Sequence, residues 1–171
     1  MTARRPYEEL TDLEKVQKQW HKLSGLHTRE EWSAAIVRAA TAAEIAANFA
    51  IRREFELKSD FDSKFVDSLL RWANGLAGKL DRLLIPLSKT DETKNEKIIT
   101  LKAVAGEIHT KRNAITHQGE FCKKEEAMTV IAKAEQFILT LVQIYDPKFF
   151  LKSRSPINSS TRHSSRKKKD V

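Results

Sequence analysis

Apolar side chains recur along this chain at intervals of three, four and seven residues, with polar residues between them. Leu10, Leu13, Val16, Trp20 and Leu23 place a first short helix over residues 8–23, closed by Gly25. Thr28-Arg29-Glu30-Glu31 has the form of a capping box, a threonine answered three residues later by a glutamate. It predicts the start of a long helix reaching about Leu57. Asp60 or Asp62 is placed to cap a third helix, which carries Phe65, Leu69, Leu70, Trp72, Leu76, Leu80, Leu83 and Leu84 and ends near Pro86. Thr93-Lys94-Asn95-Glu96 repeats the capping-box form and opens a helix ending near Gly119. The last helix runs from about Lys124 to Tyr145, with Ala127, Val130, Ile131, Ala134, Phe137, Ile138, Leu141 and Ile144 facing inward, and Pro147 stops it.

No segment alternates with the period of two that a strand requires. Four substantial helices joined by short connections predict an all-α fold, an antiparallel four-helix bundle. The boundaries that follow are an accessory N-terminal helix over 1–27, the bundle over 28–149 and a flexible tail over 150–171. Five glycines and four prolines in 171 residues agree with helix throughout. The lone Cys122 excludes an internal disulfide and suits a reducing cytosol. No uncharged apolar run reaches membrane-spanning length, and Met1 to Leu10 is too polar for a signal peptide. A cytoplasmic protein without membrane contact is expected.

The net charge of +8 is unevenly spread. Residues 151–171 hold seven basic side chains against one acid, a balance of +6, leaving 24 basic and 22 acidic residues elsewhere. Arg166, Lys167, Lys168 and Lys169 are the densest part of this segment. Such a tail attracts phosphates by counterion release, without sequence preference, and it serves equally as a solubilising end or a localisation signal. Its many serines make it too polar to fold alone.

Candidate chemistry concentrates in Arg112-Asn113-Ala114-Ile115-Thr116-His117. The apolar stripe of that helix is Leu101, Ala105, Ile108 and Ile115, and position 112 completes it with an arginine. A guanidinium on a packed face costs desolvation unless it meets an anion or a cleft. Asn113 and His117 are four residues apart and share a face. In the long helix, Thr41, Glu44 and Asn48 are the polar residues between Ala39 and Ile51, all on one face. A glutamate there needs a partner. Either Glu44 pairs with a core arginine and sets register, or it orients Arg112 or His117.

Arg112-Asn113-x-x-x-His117 followed by Gly119 resembles the Arg-polar-x(3)-His motif of the HEPN superfamily, small all-helical domains found in many prokaryotic ribonuclease toxins and defence proteins. The resemblance covers roughly residues 29–146. It implies a metal-independent endoribonuclease, with Arg112, His117 and Asn113 catalytic and Glu44, Asn48 and Thr116 in support. It also implies a homodimer, an RNA substrate, no cofactor and a nucleotidyltransferase-like antitoxin as a further partner. The chemistry is coherent: RNA carries its own nucleophile, the 2′-hydroxyl. An imidazole moves protons near neutral pH, and a guanidinium holds two phosphate oxygens as charge develops. The competing expectation is a non-catalytic helical module that binds nucleotides or proteins.

Other signals are weaker. His109 shares a face with Asn113 and His117 but reads as solvent-facing. His109, His117, Cys122 and Glu125 match no compact zinc spacing. The glycines form no phosphate-cradling loop, and Gly75 and Gly78 read as sites of close helix approach. Trp20, Trp32 and Trp72 fall on apolar stripes as core residues, and Cys122 reads as buried and inert.

Overall fold

The computed structural model describes residues 5–152, except for the side chains of 27 and 28, and all secondary structure among them is helical. The basic residues Arg166, Lys167, Lys168 and Lys169 lie outside the described residues. Helices α1 (Asp12–Thr28) and α2 (Trp32–Lys58) pack along each other. They are followed by α3 (Ser63–Trp72), α4 (Gly75–Lys79), a π-helical turn (Leu80–Leu84) and α5 (Ile85–Ser88). The chain ends with α6 (Glu92–Thr100), α7 (Lys102–Gln118) and α8 (Lys124–Gln143).

α2 is the axis of the core. Its buried Ala35, Ala39, Ala42, Ala43, Ala46, Ala47 and Ala50 let neighbouring helices approach closely, and it packs against α1, α4, α7 and α8. By length and composition α2 is the one described helix apolar enough to cross a membrane, but 56 % of the qualifying window is buried inside the fold. Val16, Trp20 and Leu23 of α1 belong to the same core as α2, with Phe137, Ile138, Leu141 and Val142 of α8. A smaller cluster of Ile36, Cys122 and Ala127, backed by Trp32 and Ile115, packs the end of α7 against α2 and α8.

Several boundaries differ from the sequence expectation, each for a local reason. α1 continues through Gly25 to Thr28, because an interior glycine costs a helix only about 1 kcal/mol against alanine. It closes on Glu30, which takes the left-handed conformation at φ 60°, while the Glu31 amide donates to the Leu26 carbonyl at 3.0 Å. α2 therefore opens at Trp32, with Glu31 at its cap and no side-chain capping bond, so the Thr28 capping box does not start it. Asp62, not Asp60, caps α3 by accepting from the Phe65 amide at 3.0 Å. Asp91 caps α6 through the Lys94 amide at 3.0 Å, displacing the start expected at Thr93. The helix thus opened is interrupted at Leu101 before continuing as α7.

The third helix is not continuous. It breaks at Ala73 and Asn74, and Gly75 at φ +74° restarts it. Pro86 lies within the continuing helix and not at its end. The π-helical turn just before it widens the backbone where the proline lacks an N–H and its ring crowds the preceding turn. Trp72, expected in the core, is 60 % exposed, since the break follows directly and the stripe of α3 runs past the core. The Arg82 guanidinium covers its ring at 5.3 Å.

Candidate functional site

α7 brings the motif to the surface and ends it there. Gly119 adopts φ 69°, and the amides of Gly119 and Glu120 fold back on the Ala114 carbonyl, so the helix stops two residues after His117. On the last two turns, Arg112 Nη1 donates to Asn113 Oδ1 at 3.0 Å and lies 3.3 Å from His117 Nε2. A guanidinium has no acceptor, so the ring nitrogen accepts, which puts the His117 proton on Nδ1. Asn113 Nδ2 in turn lies 3.0 Å from His109 Nε2. Four side chains on one helix are thus joined in series: His109, Asn113, Arg112 and His117.

This series lines a cavity of about 300 Å³. Its other walls are Ala40 and Glu44 of α2 and Asn74, Gly75 and Leu76 at the start of α4. His117 stands exposed at the rim, while His109, Arg112 and Asn113 are half-buried. Among the described residues Arg112 meets no carboxylate, so its charge is uncompensated. Position 112 does lie on the inward side of α7, as the stripe predicts, and the cavity is what it faces.

Glu44 has neither of the partners expected for it. Its Oε1 pairs with Lys79 Nζ at 2.5 Å, and the lysine side chain is only 7 % exposed. The pair leaves Glu44 on the cavity wall with its charge balanced from α4. Asn48 is one turn further along α2, on a second cavity of about 380 Å³ shared with Glu44, Arg52, Asp67, Arg71, Asn74 and Lys79. Its Oδ1 is buried with no hydrogen-bond partner among the described residues. Arg52 is held by Asp12 at 3.1 Å and Asp67 at 2.5 Å. Arg71 is exposed and, like Arg112, has no acidic partner among the described residues. Both cavities include Glu44 and Asn74, so they adjoin, and together they make a polar groove lined from α2, α3, α4 and α7.

Thr116 does not join this groove. Its hydroxyl donates back to the Arg112 carbonyl at 2.8 Å, a local bond that competes with any outward role. His109, in contrast, is on the cavity wall and not solvent-facing as its position in the sequence suggested. A Cβ on Gly75 would stand 2.5 Å from His109 Cε1, so the absence of a side chain at 75 is what lets the imidazole in. Gly78 shows no such crowding: its nearest neighbour is Ala73 backbone at an ordinary 3.6 Å. Asn74-Gly75 is itself a turn signal in the sequence, set within an otherwise helical pattern. Lys79 and Arg71 carried no signal that separated them from surface lysines and arginines.

Outside the groove, Glu120, Cys122 and Glu126 are the one group among the described residues with metal-ligand spacing, all within 4.8 Å. Lys111 already bridges the two carboxylates. Burial pushes the Cys122 thiol up, which keeps it protonated and unreactive. No protein-family model matches the chain, and no curated protein or solved structure matches it either.

Proposed function

We propose that this protein is a metal-independent endoribonuclease of the HEPN type, cutting RNA by attack of a 2′-hydroxyl on the adjacent phosphate. The observation behind this reading is one contact: a guanidinium with no carboxylate partner, 3.3 Å from an imidazole nitrogen, on the wall of a 300 Å³ cavity. An uncompensated, half-buried cation is costly unless an anion visits it. A phosphodiester satisfies it, and the guanidinium binds more tightly as charge grows on the phosphoryl oxygens. His117 Nε2, accepting from Arg112 in the free protein, becomes available to a 2′-hydroxyl proton once Arg112 turns to the phosphate.

The same reading takes α2, the α3-to-α5 segment, α6 with α7, and α8 as the four legs of an antiparallel HEPN-like bundle. It includes a homodimer, a cytoplasmic setting, a basic tail that adds affinity for RNA, and a toxin or antiphage role restrained by a nucleotidyltransferase-like antitoxin. The test is cleavage of RNA by purified protein in the presence of a chelator, with detection of 2′,3′-cyclic phosphate ends. His117→Ala lowers the rate roughly 100- to 10,000-fold, and Arg112→Ala lowers it on the order of 100-fold or more. Cleavage that survives both substitutions, or that appears only with added magnesium, overturns the proposal.

One observation favours the non-catalytic alternative: both ring nitrogens facing this series are already engaged, His117 Nε2 with Arg112 and His109 Nε2 with Asn113. A module that only holds a nucleotide phosphate needs no free base. Calorimetric binding of nucleotides without RNA turnover is its signature.

A further inference from the structure

A third cavity, of about 310 Å³, lies between the C-terminal half of α1 and the first turns of α2. His21, Lys22, Gly25, Leu26 and Arg29 line it from α1 and the turn that follows, and Arg38 lines it from α2. Four of these six residues are basic, and among the described residues no carboxylate lines the cavity. Arg38 is turned about 160° from Ala40 and about 120° from Glu44 around an ideal helix, so this cavity is separate from the groove. We propose that it binds a phosphoryl dianion, either inorganic phosphate or the terminal phosphate of a small phosphorylated metabolite. The proposal goes beyond the ribonuclease reading and does not rest on it.

Positions 21, 22, 25, 26 and 29 follow the spacing that lays side chains along one helix face. Gly25 opens that face: a Cβ there would meet no atom within 4 Å. Arg38 closes the cavity from α2 and is held by a buried relay. Gln19, only 6 % exposed, accepts from Arg38 Nη1 at 3.1 Å on its Oε1. Its Nε2 donates to the Tyr7 hydroxyl at 2.9 Å. Both ends of the amide are thus used, which fixes the guanidinium without cancelling its charge. A guanidinium has five N–H donors, of which Gln19 takes one, and a phosphate accepts two at once.

Charge selects the ligand. Arg29 pairs with Glu31 at 2.6 Å, and that pair is neutral. Among the described residues neither Lys22 nor Arg38 meets a carboxylate, which leaves two positive charges. A phosphate monoester carries about −1.5 to −2 at neutral pH, whereas each phosphodiester of a nucleic acid carries about −1. His21 adds an N–H donor in either tautomer. Cations at a helix end commonly answer its terminal carbonyls, an influence confined to the last turn. That accounts for Arg29. It does not account for Lys22, six residues before the end of α1 at Thr28, nor for Arg38, which belongs to another helix. A volume of about 310 Å³ is near the lower end for ligand sites, which suits a phosphate with a small body such as a pentose.

The test is calorimetric titration of the full chain carrying Arg112→Ala, which silences the groove, with inorganic phosphate, ribose 5-phosphate and dimethyl phosphate. The dianions bind at one site, at least about tenfold more tightly than the singly charged diester. Arg38→Gln lowers their affinity about tenfold or more. Gly25→Leu abolishes binding by filling the cavity while every charge stays in place. It also replaces an interior helix glycine with a better helix former, so it melts no lower than its parent. Loss of ligand without loss of stability is a result that misfolding does not give. Tighter binding of ribose 5-phosphate identifies the ester as the ligand, and equal or tighter binding of inorganic phosphate identifies the free ion. No binding of either dianion overturns the proposal, as does their retention by Arg38→Gln and Gly25→Leu. Equal binding of dimethyl phosphate overturns it too, and so does binding by the unaltered protein that disappears with Arg112→Ala. A short RNA without terminal phosphates that competes for the site and is released by Arg38→Gln makes the cavity part of an RNA path, which also overturns it.

Discussion

Gly75 and His109 are fitted to each other: the imidazole packs against the glycine backbone, which has φ +74°, so closely that any Cβ at position 75 would stand 2.5 Å from His109 Cε1. Two independent demands thus meet at one residue. The left-handed conformation disfavours an L side chain by about 1–2 kcal/mol, and the imidazole forbids the side chain sterically. Gly75→Ala is expected to destabilise the fold by about 1–3 kcal/mol and to swing His109 off the cavity wall. The informative comparison is Gly78→Ala in the same short helix, where the added methyl meets only an ordinary contact. Chemical denaturation of the two variants measures the difference directly, and equal stabilities would contradict the fit described here.

Arg71 sets the second expectation. The groove running from His117 past Glu44 to Asn48 is lined by four cations, and two of them, Arg52 and Lys79, are neutralised by acids. Arg112 and Arg71 are not. If Arg112 holds the phosphate that reacts, Arg71 is placed for a neighbouring phosphate on the same strand. Arg71→Ala should raise KM several-fold with little change in kcat, and should reduce the slope of log affinity against log salt by about 1. Fluorescence anisotropy of a short RNA across a salt series reads that slope. An unchanged slope removes Arg71 from the path of the strand.

Much of this arrangement can be read from residue order alone, and the part that cannot has a common cause. The apolar periodicity of 32–58 and 124–143 is strong enough that both helices lie within a few residues of expectation, because burial leaves one way to satisfy so many alanines and isoleucines. Helix ends depend on weaker local competition. Thr28 and Glu31 carry the letters of a capping box, but Glu30 turning left-handed extends α1 instead. Asp91 outcompetes Thr93 for the start of α6. At the groove, Arg112, Asn113 and His117 were legible because six consecutive positions encode their proximity. His109 was not, because its surroundings depend on Gly75, which lies 34 positions earlier. The partner of Glu44 is 35 residues away, and no local pattern links a particular lysine to it.

Glu54 anchors the opposite end of α2 and makes the fold sensitive to acid. Its side chain is fully buried, and its carboxylate receives Lys94 at 2.9 Å and the Tyr145 hydroxyl at 2.7 Å on Oε1, with Lys58 at 3.1 Å from Oε2. Burial alone raises such a group, but the bonds from Lys94, Tyr145 and Lys58 outweigh it and hold Glu54 below its ordinary value of 4.5. The Tyr145 hydroxyl is pushed up correspondingly, by burial and by the neighbouring carboxylate. The unfolded chain therefore takes up the proton first as pH falls. The stabilisation is complete above about pH 4.5 and is lost as the pH drops through the lower folded value. Tyr145→Phe removes one of the two hydrogen bonds on Oε1, costs about 1 kcal/mol at neutral pH and narrows the acid-sensitive window. Glu54→Gln leaves two lysines facing a neutral amide, costs on the order of 3 kcal/mol and removes this residue's share of the acid slope. Urea midpoints measured between about pH 7 and pH 3 separate the two effects, and a slope identical in all three proteins would mean that acid sensitivity arises elsewhere.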